Sequence, residues 1–561
     1  MIDKIKIKFG SSTGTANLEF DVTPVTIFVG PNNSGKSKIL VEIESYCRQT
    51  HGQPNDLILS QLLFSALTKE EIEEEIKKIE QTPNESEVIH AGHVLLGKLN
   101  PQNNKAVRVQ LNKVGLINEA QNPNQRAGHY QGFLNIYTLR LDGTNRLNLL
   151  NEQDGGDLQT TGKNHLSHLF LNNELRKEVR RIVHDAFGKY YVIDPTNIGK
   201  LRVRLSDREP ITEREEKGWE KEAVDFHKGA IEITRTSDGV KAFSGIITTI
   251  LAGDPKITLI DEPEAFLHPS LAYKLGKEIS GSARNTKKRL FVSTHSSSFL
   301  MGCIQSGAPV NIVRLTYKNG VATGRILPKE KLLHLMRHPL LRSTGVLNGL
   351  FFESVVVTEA DSDRVFYQEI NERLLAEKDI RGIQNCLFIN AQNKQTVWDI
   401  VRPLRELGIP AVGIVDIDVL KEGGQVFKKP LAGAFFPELT HESHQNQRKK
   451  LLDAFVATTK NMKIDGGIDL LPAGEKEACE NFFNQLDEYG VFVIRKGELE
   501  SWLKPLGATG HGPTWLIDIF EKMGENPDEA SYLKPSAGDV WDFIKKMKTW
   551  IDNPLKKGIP Q

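Results

Sequence analysis

The sequence predicts an α/β protein whose sheets are largely parallel and flanked by helices. Short apolar runs, mostly of β-branched residues, lie at 25–29, 257–260, 290–292, 355–357 and 411–415. Each run is followed by polar or glycine-bearing residues and then by a helical pattern, and this alternation is typical of parallel sheets. The chain has 561 residues, which is too long for one hydrophobic core, so we expect about two to four domains.

The composition is that of a soluble globular protein, with 39% hydrophobic and 26% charged residues. The 72 basic residues balance the 72 acidic ones, so any nucleic-acid surface must be a local patch. Residues 1–9 alternate apolar and polar side chains, which predicts a β-strand and argues against a signal peptide. The sequence shows no apolar run of the ~18 residues needed to cross a bilayer. The scattered cysteines fit a reducing cytosol, and we expect a soluble, cytoplasmic protein with no membrane contact.

Two helices and one domain boundary are predicted outside these apolar runs. Residues 68–79 begin with a capping box, and residues 173–187 carry an apolar stripe that ends at a glycine. We interpret both helical stripes as core faces; packing against a second subunit is the alternative. The pattern breaks between 337 and 349, which predicts one domain at 1–345 and a second at 346–561.

A phosphate-binding loop follows the first apolar run. Residues 30–37 read Gly-Pro-Asn-Asn-Ser-Gly-Lys-Ser, between a predicted strand and a predicted helix. Glycines let such a backbone wrap phosphates with its N–H groups, the lysine neutralises the terminal phosphates, and the serine can ligate Mg²⁺. The predicted nucleotide-binding residues of this loop are Gly30, Asn33, Gly35, Lys36 and Ser37.

Two later strand ends carry the residues that nucleotide hydrolysis requires. One apolar run leads into Asp261 and Glu262. We expect the aspartate to contact the Mg²⁺ ion through its water shell and the glutamate to polarise the attacking water. The next run leads into His295, which is placed to contact the γ-phosphate and sense hydrolysis. Asp261 therefore joins Ser37 as a predicted metal-site residue, and Glu262 and His295 are predicted catalytic residues.

This set of motifs resembles an ABC-type ATPase of the DNA-repair and SMC-like branch, as does the Leu-His-Pro sequence at 267–269. The resemblance implies a signature loop before the acidic strand, and Ser237 and Gly239 occupy that place. It also implies a helical dimerisation insertion, at roughly 160–230, and a homodimer or higher homo-oligomer bridged by ATP. Two residues are candidates for the family's glutamine loop: Gln110 and Gln131.

A second set of acidic residues follows two other apolar runs. Glu359 and Asp363 lie where one run gives way to a helix. Asp416 and Asp418 follow another run, and their alternation puts both carboxylates on one face. The pattern between them completes a βαβαβ unit, which brings both strand ends to one edge of a sheet. Hard carboxylate oxygens at such a site suit Mg²⁺ or Mn²⁺.

The arrangement resembles a Toprim domain, the metal-dependent fold shared by topoisomerases, bacterial primases and certain nucleases. Glu359 matches the family's characteristic glutamate, and Asp416 and Asp418 match its Asp-x-Asp pair. Asp363 matches an aspartate that the nuclease branch carries four positions after the glutamate. Ala360 stands where that branch usually has glycine, and a different backbone turn is expected there.

The order of the two domains resembles that of the OLD (overcoming lysogenization defect) family of nucleases, which includes subunits of some anti-phage systems. That resemblance implies a later glutamate at a second metal, for which we favour Glu500 over Glu498. It also implies a lysine near the C-terminus that stabilises the transition state. Lys534 matches best, and Lys545 and Lys546 are alternatives.

Together the motifs and the resemblance predict an ATP-regulated, divalent-metal-dependent DNA endonuclease or nickase in anti-phage defence. Its cofactors would be ATP and Mg²⁺ or Mn²⁺ at both sites. The predicted catalytic residues are Glu262, His295, Glu359, Asp416, Asp418 and Lys534, and the predicted Toprim metal ligands are Glu359, Asp363, Asp416, Asp418 and Glu500. Relatives work alone, with a helicase-like subunit, or with a reverse transcriptase and its nucleic acid. The alternative is a nucleotide-gated DNA-binding scaffold whose Toprim domain is catalytically idle inside a multi-protein complex.

Overall fold

The chain forms two compact units, Met1–Lys329 and Glu330–Gln561. The computed structural model describes residues 1–12, 14–49, 55–83, 87–100, 105–125, 128–157, 164–338 and 345–560. The division between the units falls before residue 345, where the sequence predicted a domain boundary. The helix Lys329–Arg337 explains the difference, because nearly all of it belongs to the second unit.

Strands and helices alternate along the first unit. Its strands are β1 (Ile2–Ile7), β2 (Glu19–Asp21), β3 (Val25–Val29), β4 (Leu59–Phe64), β5 (His93–Asn100), β6 (Lys105–Asn112), β7 (Thr138–Leu141), β8 (Gln153–Asp154), β9 (Tyr190–Asp194), β10 (Lys200–Ser206), β11 (Ile231–Glu232), β12 (Ile257–Asp261), β13 (Arg289–Ser293), β14 (Val310–Lys318) and β15 (Val321–Leu327). Its α-helices are Lys36–Arg48, Lys69–Ile79, Lys113–Gln121, Gly128–Tyr137, His165–Leu171, Asn173–Phe187, Glu213–Lys217, Lys221–Gly229, Asp238–Ala252, Pro269–Ser282 and Ser297–Gln305. Short 3-10 helices lie at Pro123–Gln125, Asn145–Asn148 and Ile233–Arg235.

The main sheet of the first unit confirms the predicted parallel architecture. Its strand order is β15-β14-β3-β13-β12-β7, and only the edge strand β15 runs antiparallel to its neighbour. The register pairs Asp261 with Ser293 and Ser293 with Phe28. The carboxyl ends of the three central strands are therefore level, and the segments that follow them lie at one edge of the sheet.

The two predicted helical stripes are core faces, as expected. Thr68 and Glu71 form the reciprocal capping box that starts the helix Lys69–Ile79, and its isoleucines are buried. The helix Asn173–Phe187 buries Val179, Ile182 and Val183 and stops at Gly188, whose φ of 66° lies in the left-handed region. Both apolar stripes are therefore buried within the chain itself.

The segment that was predicted as a helical insertion is a mixture of helices and strands. The small antiparallel sheet formed by β8, β9, β10 and β11 accompanies its helices. The prediction of a helical insertion at 160–230 is corrected in this respect, because alternating apolar side chains in Lys200–Ser206 bury one face of a strand. Its part in dimerisation stays a prediction.

The second unit is built on a four-stranded parallel sheet. Its strands are β16 (Ser354–Thr358), β17 (Cys386–Asn390), β18 (Ala411–Val415) and β19 (Val491–Val493), in the order β17-β16-β18-β19. Its further α-helices are Asp361–Ala376, Val397–Glu406, Gly424–Gly433, His441–Ala457, Ala473–Asp487, Pro513–Met523 and Asp539–Asp552, and its 3-10 helices are Val346–Phe351, Ile417–Lys421, Glu438–Thr440, Gly467–Leu470, Leu499–Ser501 and Lys504–Leu506. The predicted βαβαβ unit is present and contains β16, β17 and β18. The additional strand β19 pairs with β18, so the ends of β16, β18 and β19 are neighbours.

Neither disulfides nor a membrane span is found among the described residues. All four cysteines are free thiols. Within the described ranges, helices that combine the length and the apolar character of a bilayer span are absent.

Candidate functional site

Three residues of the phosphate-binding loop have positive φ angles, and two of the three are glycines. Gly30 has a φ of 145° and Gly35 a φ of 93°, and Asn33 between them has a φ of 60°. A Cβ atom on Gly30 would lie 2.0 Å from the carbonyl oxygen of Leu315 on the neighbouring strand. Glycine at position 30 is therefore required by close backbone contact as well as by its dihedral angle.

Lys36 is buried beneath this loop. Its Nζ donates hydrogen bonds to the carbonyl oxygens of Gly30, at 2.9 Å, and Pro31, at 2.6 Å. Burial lowers the pKa of the Lys36 ammonium to about 8, and the nearby carboxylates of Glu262 and Asp261 oppose that shift. The ammonium is thus held inside the loop, where a bound phosphate group would supply the countercharge.

Ser37 and Asp261 meet at the position expected for a nucleotide-bound magnesium ion. The Ser37 hydroxyl donates a 2.8 Å hydrogen bond to Asp261 Oδ1. Ser293, at the end of the adjacent strand, donates to the same oxygen. The carboxylate is held between two strand ends and the first turn of the helix Lys36–Arg48, and the magnesium-binding role of Ser37 and Asp261 stays a prediction.

Glu262 has an unusual backbone. Its φ of 48° is left-handed, and its N–H donates to the carbonyl of Ser293 over 2.9 Å. Nε2 of His295 lies 3.6 Å from Glu262 Oε1. Burial, and then the charge of Lys36, lower the pKa of the His295 imidazole. A neutral imidazole beside the carboxylate fits the predicted roles of these two residues.

Arg146 is a member of this site that the sequence did not predict. It lies in the segment after β7, and its guanidinium donates a hydrogen bond to the backbone carbonyl of Glu262. Its side chain is buried and lies over the ring of Phe266, 5.8 Å from the ring centre. Residues 138–141 read Thr-Leu-Arg-Leu, a short alternation that is compatible with a strand, but nothing in it indicates pairing with β12.

Glu264 links the two loops that carry Glu262 and His295. Its Oε1 accepts hydrogen bonds from Thr294 Oγ1 and from the His295 N–H, both at 2.8 Å. Burial raises the pKa of this carboxyl group. The loop after β12 and the loop after β13 are therefore joined by side-chain hydrogen bonds as well as by the sheet.

The predicted signature segment lies beside the loop that carries Glu262. Ser237 precedes the helix Asp238–Ala252, and a Cβ on Gly239 would lie 2.7 Å from the carbonyl oxygen of Phe266. The two glutamine-loop candidates lie elsewhere in the unit. Gln110 is on β6, where its amide donates to Val88 O at 3.4 Å, and Gln131 is within the helix Gly128–Tyr137.

In the second unit, the predicted acids converge at one edge of the parallel sheet. Glu359 follows β16, and its Oε1 accepts a 3.0 Å hydrogen bond from the N–H of Asp416, which follows β18. Asp363 caps the adjacent helix through a 3.0 Å bond from the N–H of Ala360. The φ of −125° at Ala360 is ordinary extended backbone, so alanine in place of glycine imposes no strain.

Burial and mutual repulsion make these acids hard to ionise together. Burial and then the charge of Asp416 raise the pKa of Asp363 to about 7. The same two causes raise the pKa of Glu359. Burial also raises the pKa of Asp416, although Lys463 opposes the shift. Such a cluster is stabilised by any cation that enters it.

Two lysines at the acid cluster were not predicted. Lys463 Nζ lies 2.9 Å from Asp416 Oδ2 and 3.4 Å from Glu498 Oε2. Lys394 Nζ lies 3.3 Å from Asp418 Oδ2. Both belong to loops between helices or between a strand and a helix, and no pattern in the sequence marks such a loop lysine as part of a site.

Lys534 is not part of this cluster. Its Nζ lies 3.9 Å from Glu377, beside the C-terminal end of the helix whose first turn carries Asp363. A helix of 16 residues separates the two ends by roughly 24 Å. The expectation that Lys534 faces the acids is therefore corrected: its position near the C-terminus of the sequence does not bring it to the carboxyl edge of the sheet. The alternatives Lys545 and Lys546 lie on the helix Asp539–Asp552.

Both candidate glutamates after β19 lie together. One oxygen of Glu498, one of Glu500 and one ring nitrogen of His511 fall within 4.8 Å of one another. Glu500 Oε1 also accepts a 2.7 Å bond from the N–H of Gly512. Glu498 is buried and faces Lys463. Both glutamates, and not only the favoured Glu500, therefore lie at the acid cluster.

The acid cluster suits a hard divalent cation. Its donors are carboxylate oxygens, the ligands that Mg²⁺ and Mn²⁺ prefer. Asp418 Oδ1 is buried and has no hydrogen-bond partner within the described part of the chain. A buried carboxylate oxygen without a partner costs free energy unless a cation or water satisfies it.

One segment of the first unit matches a known family of AAA domains. Residues 138–301 match the family described as "AAA domain, putative AbiEii toxin, Type IV TA system". This segment carries an AAA-type ATPase domain. It runs from β7 through Arg146, Asp261 and Glu262 to the helix after His295. No curated protein matches the chain significantly.

Three solved structures of SMC heads show weak similarity to the chain. An SMC head bound to the C-terminal winged-helix domain of ScpA has a TM-score of 0.34 at 14% identity, with 59% of this chain and 99% of that chain covered. The SMC head domain from Thermotoga maritima has a TM-score of 0.29 at 14% identity, with 58% and 99% covered. The Smc head from Pyrococcus furiosus with an extended coiled coil has a TM-score of 0.32 at 13% identity, with 60% and 98% covered.

Proposed function

We propose that this protein is an ATP-regulated, divalent-metal-dependent DNA endonuclease or nickase of the OLD type. One observation carries the proposal: carboxylates from three neighbouring strand ends converge at one edge of the sheet in the second unit. Glu359 follows β16, Asp416 and Asp418 follow β18, and Glu498 and Glu500 follow β19. Acids brought together from such distant positions repel one another, so their convergence indicates a cation site.

The residues that would hold the cations are Glu359, Asp363, Asp416, Asp418 and Glu500, with Glu498 as a further ligand. Divalent ions at such a site activate a water and stabilise the leaving oxygen of a phosphodiester. The chain itself orients these groups. The Asp416 N–H fixes Glu359, and the Ala360 N–H fixes Asp363.

ATP would control this site through association of two copies of the chain. The first unit supplies Lys36, Ser37 and Asp261 for the nucleotide and its magnesium ion. Ser237 and Gly239 would reach the nucleotide of a second protomer, which is the arrangement that the resemblance to ABC-type ATPases implies. A helicase-like subunit or a reverse transcriptase as partner stays a prediction of the sequence.

The test is cleavage of supercoiled and linear DNA in the presence of Mg²⁺ or Mn²⁺. Glu359→Gln and Asp416→Asn should each abolish nicking while ATP hydrolysis persists, which shows that the variants fold. Asp469→Asn is the matched control, because Asp469 is an exposed acid of the same unit, paired with Lys476. Cleavage that survives both cluster variants would refute the nuclease.

A nucleotide-gated DNA-binding scaffold is the second candidate. The observation that favours it is the pairing of Lys463 with Asp416 and of Lys394 with Asp418, since ammonium groups already neutralise part of the cluster. This candidate predicts that the affinity for DNA changes when ATP is added and does not change when Mn²⁺ is added. Calorimetric titration of Mn²⁺ into wild type and Asp416→Asn separates the two functions.

A further inference from the structure

The Lys463 ammonium bridges two of the strand ends that form the acid cluster. It lies 2.9 Å from Asp416 Oδ2, after β18, and 3.4 Å from Glu498 Oε2, after β19. The side chain of Lys463 is 29% exposed, whereas those of its two partners are 14% and 9% exposed. Ion pairs at such partly buried positions are less screened by salt than surface pairs.

The backbone around Lys463 is packed so that the ammonium is held in this place. A Cβ atom on Gly497 would lie 2.0 Å from the carbonyl oxygen of Lys463, and Gly497 has a φ of 124°. A Cβ atom on Gly467 would lie equally close, 2.0 Å, to the carbonyl of Arg495. The 462–468 segment and the loop after β19 therefore touch backbone to backbone, and the Ile468 N–H donates to Arg495 O at 2.9 Å.

The loop after β19 is tied in turn to the loop after β18. The N–H of Ile417 donates to the carbonyl of Gly497 over 3.0 Å. This bond joins the segment that carries Asp416 to the segment that carries Glu498. Lys463 lies on a third segment, whose backbone packs against the loop after β19 and whose ammonium reaches Asp416. The position of the ammonium therefore depends on contacts among three segments of the chain, and not only on the conformation of the Lys463 side chain.

We propose that Lys463 is a resident counter-cation that competes with divalent metal for the acid cluster and so sets its metal affinity. This inference rests on the proposed metal site. The ammonium pairs with Asp416 Oδ2 and Glu498 Oε2, and these two carboxylates are among the residues that would hold a divalent ion. Metal entry requires the ammonium to move away, and its positive charge opposes any ion that binds while it remains.

The experiment is titration of Mn²⁺ into the nucleotide-free, full-length protein, followed by calorimetry. Lys463→Met should bind Mn²⁺ about tenfold or more tightly than wild type, because removal of one charge within a few ångströms is worth at least ~1.4 kcal/mol. Lys463→Arg keeps the charge and should stay close to wild type. Lys476→Met is the matched control, since it removes a lysine paired with an exposed acid of the same unit, and should leave the affinity unchanged.

The outcomes separate this inference from the proposed function. Equal or weaker Mn²⁺ binding by Lys463→Met, with binding still abolished by Asp416→Asn, overturns the role of Lys463 and keeps the metal site. Mn²⁺ binding that is absent in wild type, or unaffected by Asp416→Asn, overturns the metal site itself. Lys463→Gln is titrated alongside, so that a folding defect in the methionine variant, seen by circular dichroism, leaves a second neutral side chain to decide the result.

Discussion

The hydroxyl of Ser37 donates a 2.8 Å hydrogen bond to Asp261 Oδ1, although the two residues are 224 positions apart. Ser37 lies in the first turn of a helix that follows β3, and Asp261 is the last residue of β12. The strand β13 lies between β3 and β12 in the sheet. In phosphate-binding-loop ATPases a magnesium ion bound with ATP takes its protein ligands from such a pair, and this is the role predicted for Ser37 and Asp261.

Lys36→Ala should weaken ATP binding strongly. The buried ammonium is the group predicted to neutralise the terminal phosphates, and its loss should weaken ATP affinity by at least about 100-fold, since a buried charge pair is worth about 3 kcal/mol. Binding of a fluorescent ATP analogue measures the effect. Lys38→Ala is the control, because Lys38 is 44% exposed and pairs with Glu42 on the same helix. Equal binding by both variants would contradict the assignment.

Arg146→Ala should lower the rate of ATP hydrolysis while ATP affinity is largely kept. Its guanidinium donates to the carbonyl of Glu262, the residue whose left-handed backbone aims its carboxylate, and a misplaced catalytic group costs on the order of tenfold or more in kcat. Steady-state kinetics measure kcat and KM separately. Arg140→Ala is the control, because Arg140 pairs instead with Glu44 at 2.7 Å. A loss of affinity with unchanged kcat would show that Arg146 has another role.

Three of the acids predicted from the sequence share one feature: they stand at or directly after the end of an apolar strand run. Asp261, Glu359 and Asp416 were found this way, because parallel strands end at a common sheet edge and the chain must turn there. The helix caps at Thr68 and Gly188 were predicted for a similar reason, since local backbone chemistry determines them.

Residues that reach a site through tertiary packing could not be predicted. Lys463 follows a helix far from β18 in sequence, and only the close contact of its backbone with Gly497 brings it to Asp416. The placement predicted for Lys534 was wrong for a different reason. The resemblance implied a role for a lysine near the C-terminus, but it did not determine where that lysine lies in the fold. Arg146 follows a short edge strand whose pairing with β12 no local pattern reveals.

Arg405→Met should destabilise the second unit. Its fully buried guanidinium donates to the carbonyls of four separated residues, at distances of 2.8 to 3.3 Å: Ala411, Ala434, Gly490 and Gly558. Loss of the donor removes four hydrogen bonds from a buried site, where, among the described residues, only the carbonyl of Gly490 is seen to keep another donor, the Gly413 N–H, and this should lower the free energy of unfolding by about 3 kcal/mol. Urea denaturation measures the change. Arg402→Met is the control, since Arg402 is 54% exposed and should cost less than about 1 kcal/mol.

Asp363→Asn should make the metal-free protein more stable at neutral pH than wild type. Burial and Asp416 raise the pKa of Asp363 from 3.8 to about 7 in the folded state, so the folded state binds more protons than the unfolded state between these values. The free energy of unfolding of the wild type therefore falls as pH rises from about 4 to about 7. Asparagine carries no charge and escapes this loss, which is on the order of 4 kcal/mol at most.

Thermal melts in EDTA at pH 4, 5.5 and 7 should show that the stability difference between variant and wild type grows with pH. Mn²⁺ should reverse this stability difference at pH 7 by stabilising the wild type alone. A difference that is the same at all three pH values would mean that Asp363 is ionised in the folded protein throughout, and that repulsion within the acid cluster is weaker than its geometry indicates.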